Sequence, residues 1–150
     1  MPILRETPYP QFNFLVDLGD GDTQSARAGF AEVTGLGTEI SVIEYRAGNS
    51  RDNSPMKIPG LSRAGDVTLK RGISGSTDLY AWLDQVRNGA SGNRRTVTIS
   101  LLNEDRSQTV QTWKLLRAFP IKHVSGPLDA SGKDVAIEEL VLCCERIELE

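Results

Sequence analysis

Apolar and polar residues alternate along most of this chain, as they do in strands with one buried face. Near the N-terminus, Phe12, Phe14, Val16 and Leu18 alternate with polar residues and predict a half-buried strand. With the strands that follow, the sequence predicts about seven strands and one helix, in a mostly antiparallel sheet system that closes or nearly closes as a barrel or sandwich. Its further predicted strands are Arg27 to Val33, Thr38 to about Tyr45, Asp66 to Ile73, Thr96 to Leu102, Thr109 to Phe119 with a continuation over Ile121 to Val124 past Pro120, and Ile137 to Leu149.

The side-chain pattern within these strands assigns their faces. The strand that begins at Thr38 is apolar on both sides, so we expect one side to meet the core and the other to meet something else. In the strand from Asp66, alternation directs one set of residues inward and leaves Thr68 and Lys70 outward. The residues predicted to face the core there are Val67, Leu69 and Ile73, and those predicted to share a face later in the chain are Trp113, Leu115 and Phe119.

One segment has the spacing of a helix. Ser76 or Thr77 is placed to cap it, Asp78 suits its positive end, and Gly89 follows it as a C-terminal stop. An apolar stripe at i, i+3, i+4 and i+7 predicts that one face is buried. The stripe consists of Leu79, Trp82, Leu83 and Val86.

The stretch from Tyr45 to Gly65 has neither a helical nor a strand period. It is rich in Gly, Pro and Arg and has few large apolar groups, so it is predicted to lack structure of its own. A structureless stretch of this length is uncommon inside a compact domain. Either it is disordered or another chain orders it, and we favour the second interpretation, which indicates an assembly protein.

The Asp/Gly-rich turn and the two cysteines say little about function. The run from Gly19 to Asp22 is rich in Asp and Gly and predicts a hairpin turn; it lacks the order and closing Glu of an EF-hand. Cys143 and Cys144 are adjacent, which makes a disulfide between them strained, so both are expected to be small buried groups. No metal-binding or cofactor-binding residues are predicted.

The length and net charge of the chain limit the number of domains and the classes of protein to which it could belong. At 150 residues the chain is expected to form a single domain over residues 1–150. The net charge of −3 argues against a general nucleic-acid binder. We expect no membrane span, since the apolar runs are short, and no secretory signal peptide at the N-terminus.

Candidate catalytic chemistry is sparse. His123 is the one histidine, and no Gly-x-Ser-x-Gly motif or phosphate-binding loop accompanies it. Glu138 and Glu139 are adjacent, so they face opposite sides of a strand and do not form an acid–base pair. No catalytic residue is predicted; a small binding module or hydrolase that uses His123 is the weaker alternative.

The unblocked strand edges and the long unsupported stretch together favour association between copies. Pairing around a rotation axis would give a closed ring, and stacked rings would enclose a channel whose wall should be polar. The candidate lumen-facing residues are Thr68, Lys70, Thr98 and Ser100.

An ordered set of segments resembles a known family. The set includes FAEVTGL from Phe30, IEYRAGN from Ile43, KIPGL from Lys57 and VTLKRG from Val67, with YPQFNF, LYAWL and IEELVL at corresponding places. These segments cover nearly the whole chain in order. They resemble the tail tube proteins of contractile-tailed phages and related contractile injection systems, which have an Hcp-like fold.

This resemblance implies a small β-barrel with one flanking helix and a long extended loop, assembling as hexameric rings. The rings would stack into an inner tube within a contractile sheath and hold or conduct DNA or protein cargo. In the family, the extended loop contacts neighbouring subunits. It corresponds here to Tyr45–Leu61, and its candidate contact residues are Tyr45, Arg46, Asn49, Arg51, Met56, Lys57, Ile58, Pro59 and Leu61.

The implied partners are further copies of the chain, a sheath protein, a baseplate or tube initiator and a terminator cap. The implied location is a phage tail or injection particle assembled in the bacterial cytoplasm. A baseplate-proximal initiator or adaptor, and a secreted ring-forming tube protein of the type VI kind, share the architecture and stay open as alternatives.

Overall fold

The computed structural model describes residues 2–21, 23–25, 28–89 and 94–150. These residues form nine strands and one helix. The elements are β1 (Phe14–Asp17), β2 (Phe30–Thr34), β3 (Thr38–Tyr45), β4 (Met56–Ala64), β5 (Val67–Gly72), α1 (Asp78–Arg87), β6 (Arg95–Leu102), β7 (Thr109–Ser125), β8 (Ile137–Cys143) and β9 (Arg146–Leu149).

Seven strands form one antiparallel system in the order β1-β6-β7-β8-β5-β2, with β9 also paired to β7. The long strand β7 belongs to two layers: its first half pairs with β6 and β9, and its second half pairs with β8. The strand changes layer through two irregularities, one at Arg117, whose φ is 54°, and one between Pro120 and Lys122. The result is a sandwich, closed at the bent β7 and open between β1 and β2.

Alternating residues from both layers fill one core. Val67 and Leu69 of β5 meet Val97 and Ile99 of β6, all essentially inaccessible to solvent, and Leu115 of β7 joins them. The predicted mainly β fold with one helix is therefore confirmed, as a sandwich with an open side and not as a closed barrel.

The helix forms where its sequence signals predicted. Thr77 stands at the N-cap position, but its side chain makes no capping hydrogen bond, so the predicted capping is wrong. Asn88 is the C-cap, and Gly89 adopts a φ of +76°, which suits a glycine after a helix. Leu79 and Trp82 are buried in the core, and the helix packs against β7. The loop predicted from Gly89 to Arg94 includes four residues, 90–93, that lie outside the described residues.

The largest correction concerns the stretch predicted to lack structure. Its second half forms strand β4, which pairs with β3 to make a two-stranded hairpin outside the main sheet system. All eight residues of β3 are exposed, so the expectation that one of its faces meets the core is also wrong. Strand β3 was predicted in spite of this exposure, but the residues of β4 lack the periodic pattern by which strands are recognised, because this strand also has no buried face.

Several face and boundary predictions need correction. The extra residue at Arg117 places Phe119 opposite Cys143, on the other face from Trp113 and Leu115. Ile73 follows the end of β5 and is 42% exposed, so it does not face the core.

The predicted last strand is two strands, since pairing stops between Cys143 and Arg146.

The turn predicted after β1 does not make a hairpin. Strand β1 pairs with β6, and β2 pairs with β5, so the two strands are opposite edges of the sandwich. The Asp17 carboxylate instead accepts hydrogen bonds from the backbone N–H groups of Gly19 and Gly21, which is local turn chemistry. Arg27, where the second strand was predicted to begin, and Asp22 lie outside the described residues.

Candidate assembly surfaces

The β3–β4 hairpin, called the arm below, leaves the body of the protein at a junction of glycines. Gly35 has a φ of +88°, and a Cβ atom at this position would lie 2.1 Å from the carbonyl oxygen of Asp66. The N–H of Gly65 donates to the carbonyl of Gly37 at 2.8 Å and closes the base of the arm. This close crossing of two backbones requires a residue without a side chain at position 35.

The first face of the arm is apolar near its far end. Tyr45 lies opposite Met56, and Ile43 lies opposite Ile58 in the next pair on the same side. These four side chains, called the arm quartet below, are between 41% and 63% exposed. A cluster of four large apolar side chains this exposed is typical of an interaction surface.

The second face of the arm carries both apolar and charged groups. Val42 lies opposite Pro59, with Ile40 one pair nearer the base and the pair of Glu44 and Lys57 nearer the tip. Leu61 lies at an irregularity in β4 and is 84% exposed, and its carbonyl accepts a hydrogen bond from the Ser41 hydroxyl. The arm thus offers two surfaces to other molecules.

The tip of the arm is held by its own hydrogen bonds. The Arg46 guanidinium donates to the carbonyl oxygens of Ser50 and Asp52 at 3.1 and 3.0 Å, and the Asp52 carboxylate accepts from the N–H of Ser54. The expectation that only another chain orders this stretch is therefore corrected. Asn49 and Arg51 are exposed at the tip, and their contact with other subunits stays a prediction.

The four candidate lumen residues do not form one surface. Thr68 and Lys70 alternate with the core residues of β5, whereas Thr98 and Ser100 alternate with those of β6. Because β5 and β6 lie in opposite layers around one core, their outward side chains point away from each other. A single channel wall formed by one layer would include one pair and not both.

A buried ionic cluster was not predicted from the sequence. Arg71 is fully buried on β5, and its guanidinium donates to the Glu138 carboxylate on β8 and to the Asp78 carboxylate at the start of α1, each at 2.5 Å. The Nε2 atom of His123 lies 3.2 Å from the other oxygen of Glu138. The cluster links β5, β8, β7 and the start of α1. His123 and Glu138 therefore have a structural role.

Electrostatics within the cluster favour the charged form of Asp78. Burial by itself raises the pKa of Asp78, but the hydrogen bonds from Arg71 and Ser76 outweigh burial and leave that pKa below its usual value. The strand pattern could have indicated the buried position of Arg71. Residues of β5 alternate between the core and the surface, and Arg71 follows Leu69 on the side that faces the core.

The two cysteines lie in different environments. Cys144 is buried, and this burial raises the pKa of its thiol to about 11, with smaller contributions from Cys143 and Asp66. Cys143 is only partly buried, so the expectation of two buried thiols holds for Cys144 alone. A thiol with so high a pKa is a poor nucleophile at neutral pH.

The described residues include neither a metal-binding group nor a helix that could span a membrane. No group of three or more His, Cys, Asp or Glu side chains is placed to hold a metal ion. Among the same residues, no helix has the length and hydrophobicity needed to cross a membrane.

Comparison with known families identifies the chain. Residues 10–148 match the family described as T4-like virus tail tube protein gp19. The chain belongs to this family of tail tube proteins. The resemblance noted from the sequence segments is therefore confirmed, and comparison with curated protein sequences gave no significant match.

Solved structures similar to this tube protein support the assignment. A chain in the sheath–tube complex of the PVC extracellular contractile injection system, in its extended state, is 32% identical, with a TM-score of 0.80 over 97% of this chain and 93% of that one. A chain in the structure of the anti-feeding prophage tube terminating cap is 28% identical, with a TM-score of 0.80 over 100% of this chain and 95% of that one. Hcp1 from Flavobacterium johnsoniae, at 16% identity, a TM-score of 0.55 and coverage of 91% and 93%, shows the shared fold.

Proposed function

We propose that this tube protein assembles into rings that stack into a hollow inner tube inside a contractile sheath. The observation that carries the proposal is the arm, because both of its faces are exposed and the arm quartet lies on one of them. An isolated two-stranded hairpin is marginally stable in water. Contacts with other copies would bury these surfaces and hold the arm in place. Six subunits per ring is what the family resemblance implies.

The proposed role is mechanical, with no chemistry of its own. Contraction of the sheath would drive the preformed tube forward, and one of the two polar outer surfaces, with Thr68 and Lys70 or with Thr98 and Ser100, would line the channel. The proposed cargo is DNA or protein, and the proposed site of assembly is the bacterial cytoplasm. A sheath protein, a baseplate initiator and a terminator cap are the proposed partners, since similar chains occur in solved sheath–tube, cap and baseplate structures.

Electron microscopy of the purified chain tests the proposal, alone and mixed with its sheath partner. We expect rings that stack into tubes at high concentration. Deleting residues 49–54 removes the tip hydrogen bonds of Arg46 and should leave the sandwich folded while weakening ring stacking. A chain that stays monomeric under all these conditions contradicts the proposal, and a deletion that unfolds the sandwich shows that the tip serves the fold.

A role at the end of the tube is the second candidate. A chain from the baseplate of the anti-feeding prophage matches with 27% identity and a TM-score of 0.80, as good a structural match as the sheath–tube chain. Polymerisation with the sheath protein separates the two roles. A main tube protein should extend to unlimited length, whereas an initiator or adaptor should stop after a fixed number of rings.

A further inference from the structure

Residues 2–12, called the strap below, cross the end of the β6–β7 hairpin. Asn13, which follows the strap, donates from its side-chain amide to two carbonyl oxygens of the turn after β6, at 3.2 and 3.1 Å. Near the other end of the strap, the N–H of Ile3 donates to the carbonyl oxygen of Val110 in β7 at 2.9 Å. Val110 is the extra residue where the register between β6 and β7 shifts. The strap is therefore attached on both sides of the hairpin turn.

The side chain of Arg5 fastens the strap to this turn. Its guanidinium donates two hydrogen bonds to the Glu104 carboxylate, one of them at 2.9 Å. It also donates to the carbonyl oxygens of Thr7 and Pro8 at 2.6 and 3.0 Å, and it lies 3.8 Å from the centre of the Tyr9 ring. Arg5 thus folds the strap around itself and binds it to the hairpin, as a latch would.

The strap forms one wall of a groove at the open side of the sandwich. Strands β1 and β2 are the two ends of the strand order, and a groove between them has a volume of about 640 Å³. Tyr9 and Phe12 of the strap line this groove together with Leu101 and Trp113 of the hairpin. Trp113 packs against the core and is only partly buried. Movement of the strap would therefore expose apolar groups of the hairpin.

The strap is weakly integrated into the sandwich. None of residues 2–12 is buried, whereas the core draws on β1 from Phe14 and Val16 onward. The range that matches the tail tube family begins at residue 10, so most of the strap lies outside it. Segments with few buried apolar contacts open locally at a lower free-energy cost than the core. The strap is thus placed to move as a separate unit.

We propose that the strap is a lid over the groove, latched by Arg5, that opens while the sandwich stays folded. In the open state the strap leaves the hairpin turn, and Trp113 becomes accessible from the groove. The hydrogen bonds from Arg5 lower the pKa of Glu104 to about 2, so the latch keeps both of its charges at neutral and mildly acidic pH. The inference concerns the single subunit and goes beyond the proposed tube function.

Two measurements on the full chain follow the lid. Hydrogen exchange of the Ile3 amide, observed by NMR, reports whether the strap is attached to β7. Acrylamide quenching of tryptophan fluorescence reports access to Trp113. The chain has one other tryptophan, Trp82, which is 1% exposed in the core. A Trp113→Phe variant isolates the Trp82 signal, which therefore reports on the integrity of the sandwich.

Arg5→Met removes the latch, and Arg87→Met is the matched control. Arg87 also binds a carboxylate, that of Asp84, and lies over the ring of Tyr80, but it belongs to α1. Arg5→Met should speed the exchange of the Ile3 amide about tenfold and raise the quenching of Trp113. The quenching of Trp82 and the urea unfolding midpoint should not change. Glu104→Gln should shift both lid signals in the same direction, and Arg87→Met should shift neither.

Two results would overturn the proposal. If Arg5→Met leaves either the Ile3 exchange or the Trp113 quenching unchanged, Arg5 does not latch a lid over the groove. If the quenching of Trp82 rises together with that of Trp113, or the urea midpoint falls, the strap is part of the cooperative fold. Neither result bears on the tube function, which is tested by assembly.

Discussion

Replacing Arg71 by Met should destabilise the fold more than any change at the surface of the same strand. The Arg71 side chain is fully buried, and the carboxylates of Glu138 and Asp78 that it binds have side chains only 9% and 25% exposed. Removing the guanidinium leaves two carboxylates in a site of low dielectric, with His123 as the remaining basic neighbour. Breaking a buried ion pair by removing one partner costs about 3–5 kcal/mol.

Lys70 provides the matched control at the adjacent position. It points to the opposite face of β5, and its ammonium lies 3.7 Å from the Glu32 carboxylate with both side chains substantially exposed. An exposed ion pair contributes about 0–1 kcal/mol. Lys70→Met should therefore have little effect, although it removes the same formal charge from the same strand.

Urea unfolding at pH 7, monitored by circular dichroism, measures the difference. With a urea dependence of about 2 kcal/mol per molar, Arg71→Met should lower the unfolding midpoint by about 2 M. The double variant Arg71→Met, Glu138→Met should recover part of the loss, since it removes a carboxylate along with its partner. A loss below about 1 kcal/mol for Arg71→Met, or one no larger than for Lys70→Met, would refute the assigned role of the cluster.

Two further predictions concern the same body of the protein. Because the folded-state pKa of Asp78 is lowered, its ion pair adds stability above its unfolded pKa of about 4 and loses it as the pH falls through the folded value. Asp78→Asn should thus be less stable than the unaltered chain at pH 7, and the gap should narrow at pH 3; a gap that widens would contradict this sign. Gly35→Ala should destabilise the fold more than Gly21→Ala, because both have positive φ, which costs Ala about 1–2 kcal/mol, but only at Gly35 would the new Cβ meet a backbone oxygen. Urea midpoints compare the two, and equal losses would show that the arm's base relaxes freely.

Local signals in the sequence were sufficient for the helix and for most strands. The helix could be placed because Gly89 and the apolar stripe that includes Leu79 and Trp82 are signals that act over a few residues. Strands β5 and β6 were recognisable because one face of each meets the core. The family segments then indicated the tube role before any geometry was known.

Features that depend on distant contacts could not be predicted from one sequence. Strand β4 has no buried face, so nothing in its pattern distinguishes it from a loop. The change of layer in β7 occurs at Arg117, a residue with no intrinsic preference for positive φ, and the alternation beyond it was therefore assigned to the wrong face. The ionic cluster depends on residues from β5, α1, β7 and β8, and their pairing is set by the tertiary fold.

One measurement tests most directly whether the arm exists for assembly and not for folding. The arm quartet is replaced by Thr, a residue that favours strands and is less apolar, and the full chain is compared with the unaltered protein by urea unfolding and by sedimentation. We predict an unchanged unfolding midpoint and loss of rings and tubes, since each quartet side chain is already between 41% and 63% exposed within the single subunit. A lower midpoint, or assembly at the same concentrations as the unaltered chain, would contradict the account.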